Sequence, residues 1–328
     1  MKLRLRCLLI TLFLFACIDQ RLAAQNTLSD SNYIYRFEKR NVVELYPGIS
    51  STKFNFTNPG ELKNDYRLVA NRSGNIGVYL GYKWVTLKYS WAIPGTQLDK
   101  NVKLQYTSLG FNFRIKKWSI RPFYNLYNGL LLPQKPRSGD FKPIRDIKFS
   151  DAGVDFFYFF RTSKFSISAA NSFSEKQLKS YGSFFLKLTP MWQKINWQSP
   201  SHELITDSTT YMLLADDPEW VSLIARIGYN HNFSFRKGKW SIAPFLILGG
   251  GALREINTGI HHLQLVTDVQ GGIRAGYNGH HYYIYLNARW GNLQTNLIIK
   301  NMHQVNTNLS ITGGYRFKSL KKKIMGIL

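Results

Sequence analysis

The chain of 328 residues has 43 Lys and Arg against 19 Asp and Glu, a formal net charge of +24, with 44% hydrophobic and 15% aromatic residues. Such a composition is rich in strand formers but has no long apolar runs beyond the first twenty or so residues, which excludes a helical membrane span of about 18 consecutive apolar residues there. The length permits one large domain or two ordinary ones.

In chain order, the first element is a targeting segment. Lys2, Arg4 and Arg6 precede a largely apolar run from Cys7 to Ile18, and Ala23 and Ala24 stand before Gln25. This pattern predicts a secretory signal peptide over residues 1–24, cut after Ala24. The rival reading processes Leu14, Phe15, Ala16 and Cys17 as a lipoprotein site with Cys17 acylated. Either route exports the chain. Both cysteines lie in this segment, so a chain cut after Ala24 has no disulfide and no thiolate metal site. The polyanions open to an exported basic protein are membrane phosphates, surface polysaccharide and anionic solutes, not nucleic acid.

Residues 25–41 are polar, with Tyr33, Tyr35 and Phe37 interspersed, and read as a periplasmic linker. From Val42 onward the pattern has period two. Val85, Leu87, Tyr89, Trp91 and Ile93 oppose Thr86, Lys88, Ser90 and Ala92. Phe165, Ile167 and Ala169 alternate with Lys164, Ser166 and Ser168, which predicts a further strand. Val221, Leu223, Ala225, Ile227, Tyr229 and Phe233 oppose Ser222, Arg226, Asn230 and Asn232, with Ile224 as the exception. The same two-faced pattern recurs from Leu265 to Tyr277, from His281 to Trp290 and from Asn306 to Phe317.

A soluble sandwich also alternates, but its strands average five or six residues. These segments approach the 9 to 11 residues of a tilted membrane strand, and many end in aromatics suited to the headgroup level. Short links, as at Tyr82 to Val85, Phe160 to Lys164 and Phe235 to Lys239, alternate with longer ones, as at Asn58 to Asp65, Leu132 to Ser150 and Gln198 to Glu219. The prediction is therefore all-β: one transmembrane antiparallel β-barrel over residues 42–317, with a basic tail at 318–328. Thirteen segments can be counted, whereas termini on one side require an even number. Pro190 is the suspected divider of one strand into two, and the estimate is 12 to 14 strands.

Several stretches carry a resemblance. GNIGVYLGYKWVTLKYSWAIP, RPFYNLYNGLLL, KFSISAANSFSEKQLKSYGSF, RAGYNGHHYYIYL and GGYRF, in this order, resemble a Gram-negative outer-membrane β-barrel family known as domain of unknown function 4421. The resemblance runs from about Val42 to Phe317 and implies an outer-membrane barrel. It supplies no activity and no site residues. The eleven residues KSLKKKIMGIL after Phe317 depart from it.

Chemistry motifs are sparse. Adjacent histidines in a strand, such as His261 and His262 or His280 and His281, point to opposite faces, so neither pair chelates by itself. No G-x-S-x-G elbow occurs, and LGGGAL from Leu248 to Leu253 has no helix after it to make a phosphate loop. The informative feature is the polar parity. Lys88, Arg121, Lys164, Arg226, Arg274, Arg289 and Arg316 fall on it against Asp155 and Asp268, predicting a basic lumen that is either open to anions or filled by loops or a plug. Lys135, Arg137, Lys142, Arg145 and Lys148 form a surface-loop candidate for lipid phosphate.

The expected function is passage or binding of small anionic solutes, or of surface lipid or polysaccharide, by a protein that is not an enzyme. The alternatives are a lipid-modifying barrel enzyme and a soluble secreted β-protein. The expected partners are outer-membrane lipid, lipopolysaccharide and the outer-membrane assembly machinery, with no nucleic acid, no cofactor and no metal.

Overall fold

The structure is a computed structural model that describes residues 30–39, 41–60, 66–71, 74–82, 85–99, 105–115, 117–134, 140–257 and 262–318. The signal segment with Cys7 and Cys17, and the tail beyond Lys318, lie outside the described residues.

The wall opens with β2 (Asn41–Leu45) and β3 (Gly48–Thr57), which pair with one and the same strand, β16 (Asn301–Phe317). They are two halves of a single wall strand parted at Tyr46 and Pro47. In the same way β4 (Tyr66–Val69) and β5 (Gly74–Tyr82) share one path alongside them. β6 (Val85–Ala92), β7 (Gln105–Ile115), β8 (Trp118–Pro133), β9 (Phe141–Phe159), β11 (Tyr181–Trp197), β12 (Glu219–Phe235), β13 (Trp240–Glu255), β14 (Gln264–Asn278) and β15 (Tyr282–Asn296) follow in antiparallel order. Pairing of β15 with β16, and of β16 with the first strand, closes a 12-strand barrel. Two further strands, β1 (Ile34–Arg36) and β10 (Glu175–Gln177), pair only with each other.

β12 shows why the chain folds this way. Val221, Leu223, Ile227 and Phe233 are exposed on the outside, while Ser222, Arg226, Asn230 and Asn232 are buried on the inside. A row of exposed aliphatic side chains would be costly in water but suits hydrocarbon, and closure leaves no strand edge unpaired in lipid. Ile224, the exception to the alternation, is fully buried in an interior apolar cluster. No helix among the described residues is long and apolar enough to cross a membrane; the wall is made of strands.

Asn41 and Phe317 face each other at one end, where the wall strands also join through the turns at 236–239 and 279–281. In such barrels this end faces the periplasm. Exposed Trp118, Phe184, Phe235, Trp240, Tyr277 and Tyr282 ring it as an aromatic girdle.

Three sequence expectations are corrected. Residues 164–177 are not a wall strand: they form α1 (Ile167–Ser172) and β10 within a connection between β9 and β11. Ser166 accepts from the Ala169 amide at 2.9 Å and caps the helix, and Phe173 ends it at φ 50. The alternation there was coincidental, because Phe165, Ile167 and Phe173 all pack inward. Pro190 does not divide a strand. β11 runs unbroken past it and keeps register with β12 on one side, while the pairs with β9 skip Thr189 and Pro190 on the other. Finally, the long loop expected at Leu132 to Ser150 is mostly strand, since β9 begins at Phe141.

Both ends are filled. At the loop end β8 carries an irregularity between Asn128 and Leu130, with Gly129 at φ 79 between them. Beyond it Val69 of β4 pairs directly with Leu131 of β8, bypassing the shorter β6 and β7. The wall narrows there around an apolar cluster that includes Phe54, Phe56, Phe149, Trp197 and Trp220. α2 (Ser208–Ala215) adds Leu213 and Leu214 to it. At the short-turn end, segment 160–180 folds into the mouth. Phe165 and Phe173 are its anchors, each contributing on the order of 1.5–3 kcal/mol through burial. Residues expected to be a linker also dock here: β1 pairs with β10, Tyr33 lies edge-on to Tyr181, and Arg36 bridges to Glu175 at 3.3 Å.

Candidate functional site

Between the two plugs lies a polar band at mid-height. Lys187 pairs with Asp155 at 2.9 Å, and Thr189 donates to the same carboxylate at 2.7 Å. Arg226 donates to Thr189 Oγ1 at 2.6 Å and forms an ion pair with Asp268, which also accepts from Gln270 at 2.7 Å. Gly249, opposite Arg226 in the ladder, has no side chain to block this reach; a Cβ there would collide with Arg226 Cγ. The pair is nearly inaccessible to solvent, so Arg226 and Asp268 act on each other and not on a solute.

A second set of cations is not neutralised in this way. Arg121 donates to Asn112 Oδ1 at 3.1 Å and lies 4.4 Å from the centre of the Phe157 ring. Arg274 donates to Asn287 Oδ1 at 2.9 Å and lies over Tyr285 at 5.3 Å. Arg289 sits over Phe245 at 5.5 Å and is exposed although its strand position points inward, so it borders open space inside the barrel. Among the described residues none of these three forms a salt bridge; their partners are ring faces, amides and carbonyls.

The remaining candidates separate by position. Lys88 is on the inward parity of β6, 4.7 Å from the Tyr46 ring. Arg316 is fully buried and fills the mouth: it donates to the carbonyls of Gly279 and Phe173 and to Asn278 Oδ1, and stacks 3.7 Å from Phe37. Lys164 does not line the lumen. It is exposed on the mouth segment over Tyr33, because the strand that would have pointed it inward does not exist. Of the surface-loop candidates, Lys135 and Arg137 lie outside the described residues, while Lys142, Arg145 and Lys148 belong to β9.

Interior ionic residues missed from sequence include Asp151, buried and accepting from Asn125 at 2.6 Å, along with Lys187, Arg114 and Glu44. Lys187 sits between outward Leu186 and Leu188, a signal obscured by the expected break at Pro190. Arg114 donates to Ser168 of the mouth segment. Glu44, between outward Val43 and Leu45, is buried and accepts from Tyr283 at 2.7 Å and Tyr285 at 3.0 Å.

The histidine pair at the mouth serves packing. His280 meets Tyr35 and Phe37 edge-on, and His281 Nδ1 is 3.1 Å from Lys39 Nζ. Lys176 beside it, together with burial, holds the His280 imidazole below its ordinary range. Among the described residues no group of three or more His, Cys, Asp or Glu could hold a metal ion.

The family described as Domain of unknown function (DUF4421) matches residues 28–317. No curated protein is detectably similar in sequence. Among solved structures, the β domain of the Bordetella autotransporter Brka aligns at 9% identity over 84% of this chain and 99% of its own, with a TM-score of 0.44. An outer membrane channel from Pseudomonas putida F1 aligns at 9% identity over 90% and 100%, with a TM-score of 0.37. The outer membrane protease OmpT from Escherichia coli aligns at 7% identity over 86% and 98%, with a TM-score of 0.32.

Proposed function

The chain belongs to the DUF4421 family of Gram-negative outer-membrane β-barrels, and on that premise we propose that it takes up small anionic solutes in its mid-barrel chamber. One observation carries the reading. Arg121, Arg274 and Arg289 face the interior and form no salt bridge among the described residues; their direct partners are rings, amides and a carbonyl. Asp155, opposite Arg121 in the ladder, offsets their charge only in part, so the remainder is left to act on a solute. A low-dielectric wall focuses that field into the chamber and favours anions over cations. The role is binding and passage, without a catalytic step. Because both mouths are filled, passage requires one plug to move, and resting conductance is small.

Planar-bilayer recording on refolded protein tests this. The expected result is low or intermittent conductance with anion preference, reduced by Arg289→Glu. Cation preference would overturn the reading. The filled mouths favour a second reading, binding without passage. In that case the bilayer stays silent while phosphate or sulfate raises the unfolding midpoint of the wild type more than that of Arg289→Glu, a difference that general salt stabilisation does not produce and binding to the folded state does. Surface lipid is a companion ligand at the loop end, where Lys142 and Arg145 are exposed on the overhang of β9.

A further inference from the structure

The barrel ends differ in charge. At the short-turn end, four strand ends place an exposed cation next to an exposed girdle aromatic in sequence: Lys117 with Trp118, Phe160 with Arg161, Phe235 with Arg236 and Lys239 with Trp240. Among the described residues the acids of this end are Asp30, Glu38, Glu44 and Glu175; Glu44 is buried inside the barrel under Tyr283 and Tyr285, and Glu175 is already engaged by Arg36 and Ser166. The loop end instead mixes Lys142, Arg145 and Lys194 with Asp146, Asp217 and Glu219. Cations are thus concentrated beside one girdle only.

Backbone geometry supplies an independent observation. Arg161, Arg236 and Lys237 have φ of 47, 49 and 54, in the left-handed region that favours Gly and Asn. All three side chains are exposed; Arg161 donates to Tyr181 Oη at 3.1 Å, whereas packing does not explain why cations occupy positions 236 and 237. Local backbone preference is sacrificed where a positive charge reaches the rim.

We propose that this rim binds anionic phospholipid headgroups of the leaflet at the short-turn end. The girdle rings occupy the headgroup level, and the neighbouring Lys and Arg stems can extend from there to the phosphates. Net negative headgroups are preferred over zwitterionic ones because the rim's charge is largely uncompensated. The inference rests on the barrel lying in a membrane and is independent of the anion chamber.

The test uses full-length protein reconstituted in phosphatidylcholine vesicles, with electron spin resonance of spin-labelled phosphatidylglycerol against spin-labelled phosphatidylcholine. The expected selectivity for phosphatidylglycerol is about fivefold, at about 1 kcal/mol for one effective cation at the surface, and it declines with added salt. Arg236→Asn with Lys237→Gly installs residues that the turn geometry prefers and therefore keeps the fold; combined with Arg161→Asn, Lys117→Gln and Lys239→Gln, which remove the other rim cations, it should bring selectivity close to unity. A control at the mouth, Lys164→Ser with Lys179→Ser, should leave selectivity in place. Wild-type protein without selectivity, or a rim variant that retains it, overturns the proposal. So does loss of selectivity in the mouth control alone. Wild-type protein that ignores lipid charge but retains soluble polyglutamate would assign the face to an acidic macromolecule instead, and equally overturns it.

Discussion

Arg274, on the barrel wall, donates through Nη1 to the backbone carbonyl of Ala170 at 2.6 Å, so β14 holds the last turn of the helix that fills the mouth. A cation at a helix C-terminus satisfies carbonyls that have no partner within the helix and complements the helix dipole. The same guanidinium reaches Asn171 Oδ1 at 3.2 Å, and its Nε has no hydrogen-bond partner.

Arg274→Ala therefore weakens the docking of segment 160–180, by on the order of 1.5–3 kcal/mol for a lost hydrogen bond to a charged group. Limited trypsin digestion from the short-turn side should cut at Lys164 or Lys176 faster in the variant, and bilayer current should rise. Digestion at the wild-type rate would show that the arginine does not hold the plug.

The face assignment has its own check. Leu286 is exposed on the lipid side of β15, and Arg289 faces inward. Leu286→Arg should cost about 2–4 kcal/mol, and Ile284→Arg less, because Ile284 lies closer to the girdle residue Tyr282. Arg289→Leu should insert normally. Refolding stabilities in lipid vesicles that fail to separate the outward variants from the inward one would refute the parity.

Arg226 and Asp268 expose 4% and 2% of their side chains. Removing one partner strands the other charge, so Asp268→Ala should cost about 3–5 kcal/mol, and Asp268→Leu with Arg226→Met should recover most of the loss. Urea unfolding of the single and double variants in vesicles measures the coupling. Additive losses would show that the pair is not energetically linked.

The loop-end cap depends on pH. Burial pushes the Asp207 carboxyl up, but Lys300 Nζ at 2.8 Å and bonds from Thr210 and Thr209 outweigh it and hold the carboxyl below the usual carboxylate range. A carboxyl depressed in the folded state binds fewer protons than in the unfolded chain, so its contribution is complete above the ordinary Asp value. It is lost as pH falls through the depressed one. The protection factors of α2 against hydrogen exchange, taken relative to the intrinsic rate at each pH, should fall in strong acid but not between pH 5 and 8, and Asp207→Asn should show the lower protection at neutral pH. A variant with wild-type protection at neutral pH would remove Asp207 from the account.

The sequence by itself determined the wall. A strand's side chains alternate between two faces, so Val221 and Leu223 against Ser222 and Arg226 already state which residues meet lipid and which meet the interior, wherever neighbouring strands lie. Inward Arg121, Arg226, Arg274 and Arg289 were legible for the same reason. Only the tertiary structure decided what each inward charge does, because that depends on partners far away in the chain. Asp268 neutralises Arg226 from 42 residues on, whereas Arg274 meets a carbonyl 104 residues back. The same limit explains the strand that was not there. Phe165, Ile167 and Phe173 bury themselves against interior rings that local periodicity cannot see, and the energy of that burial, with the Ser166 cap, selects a plug helix over an alternating strand.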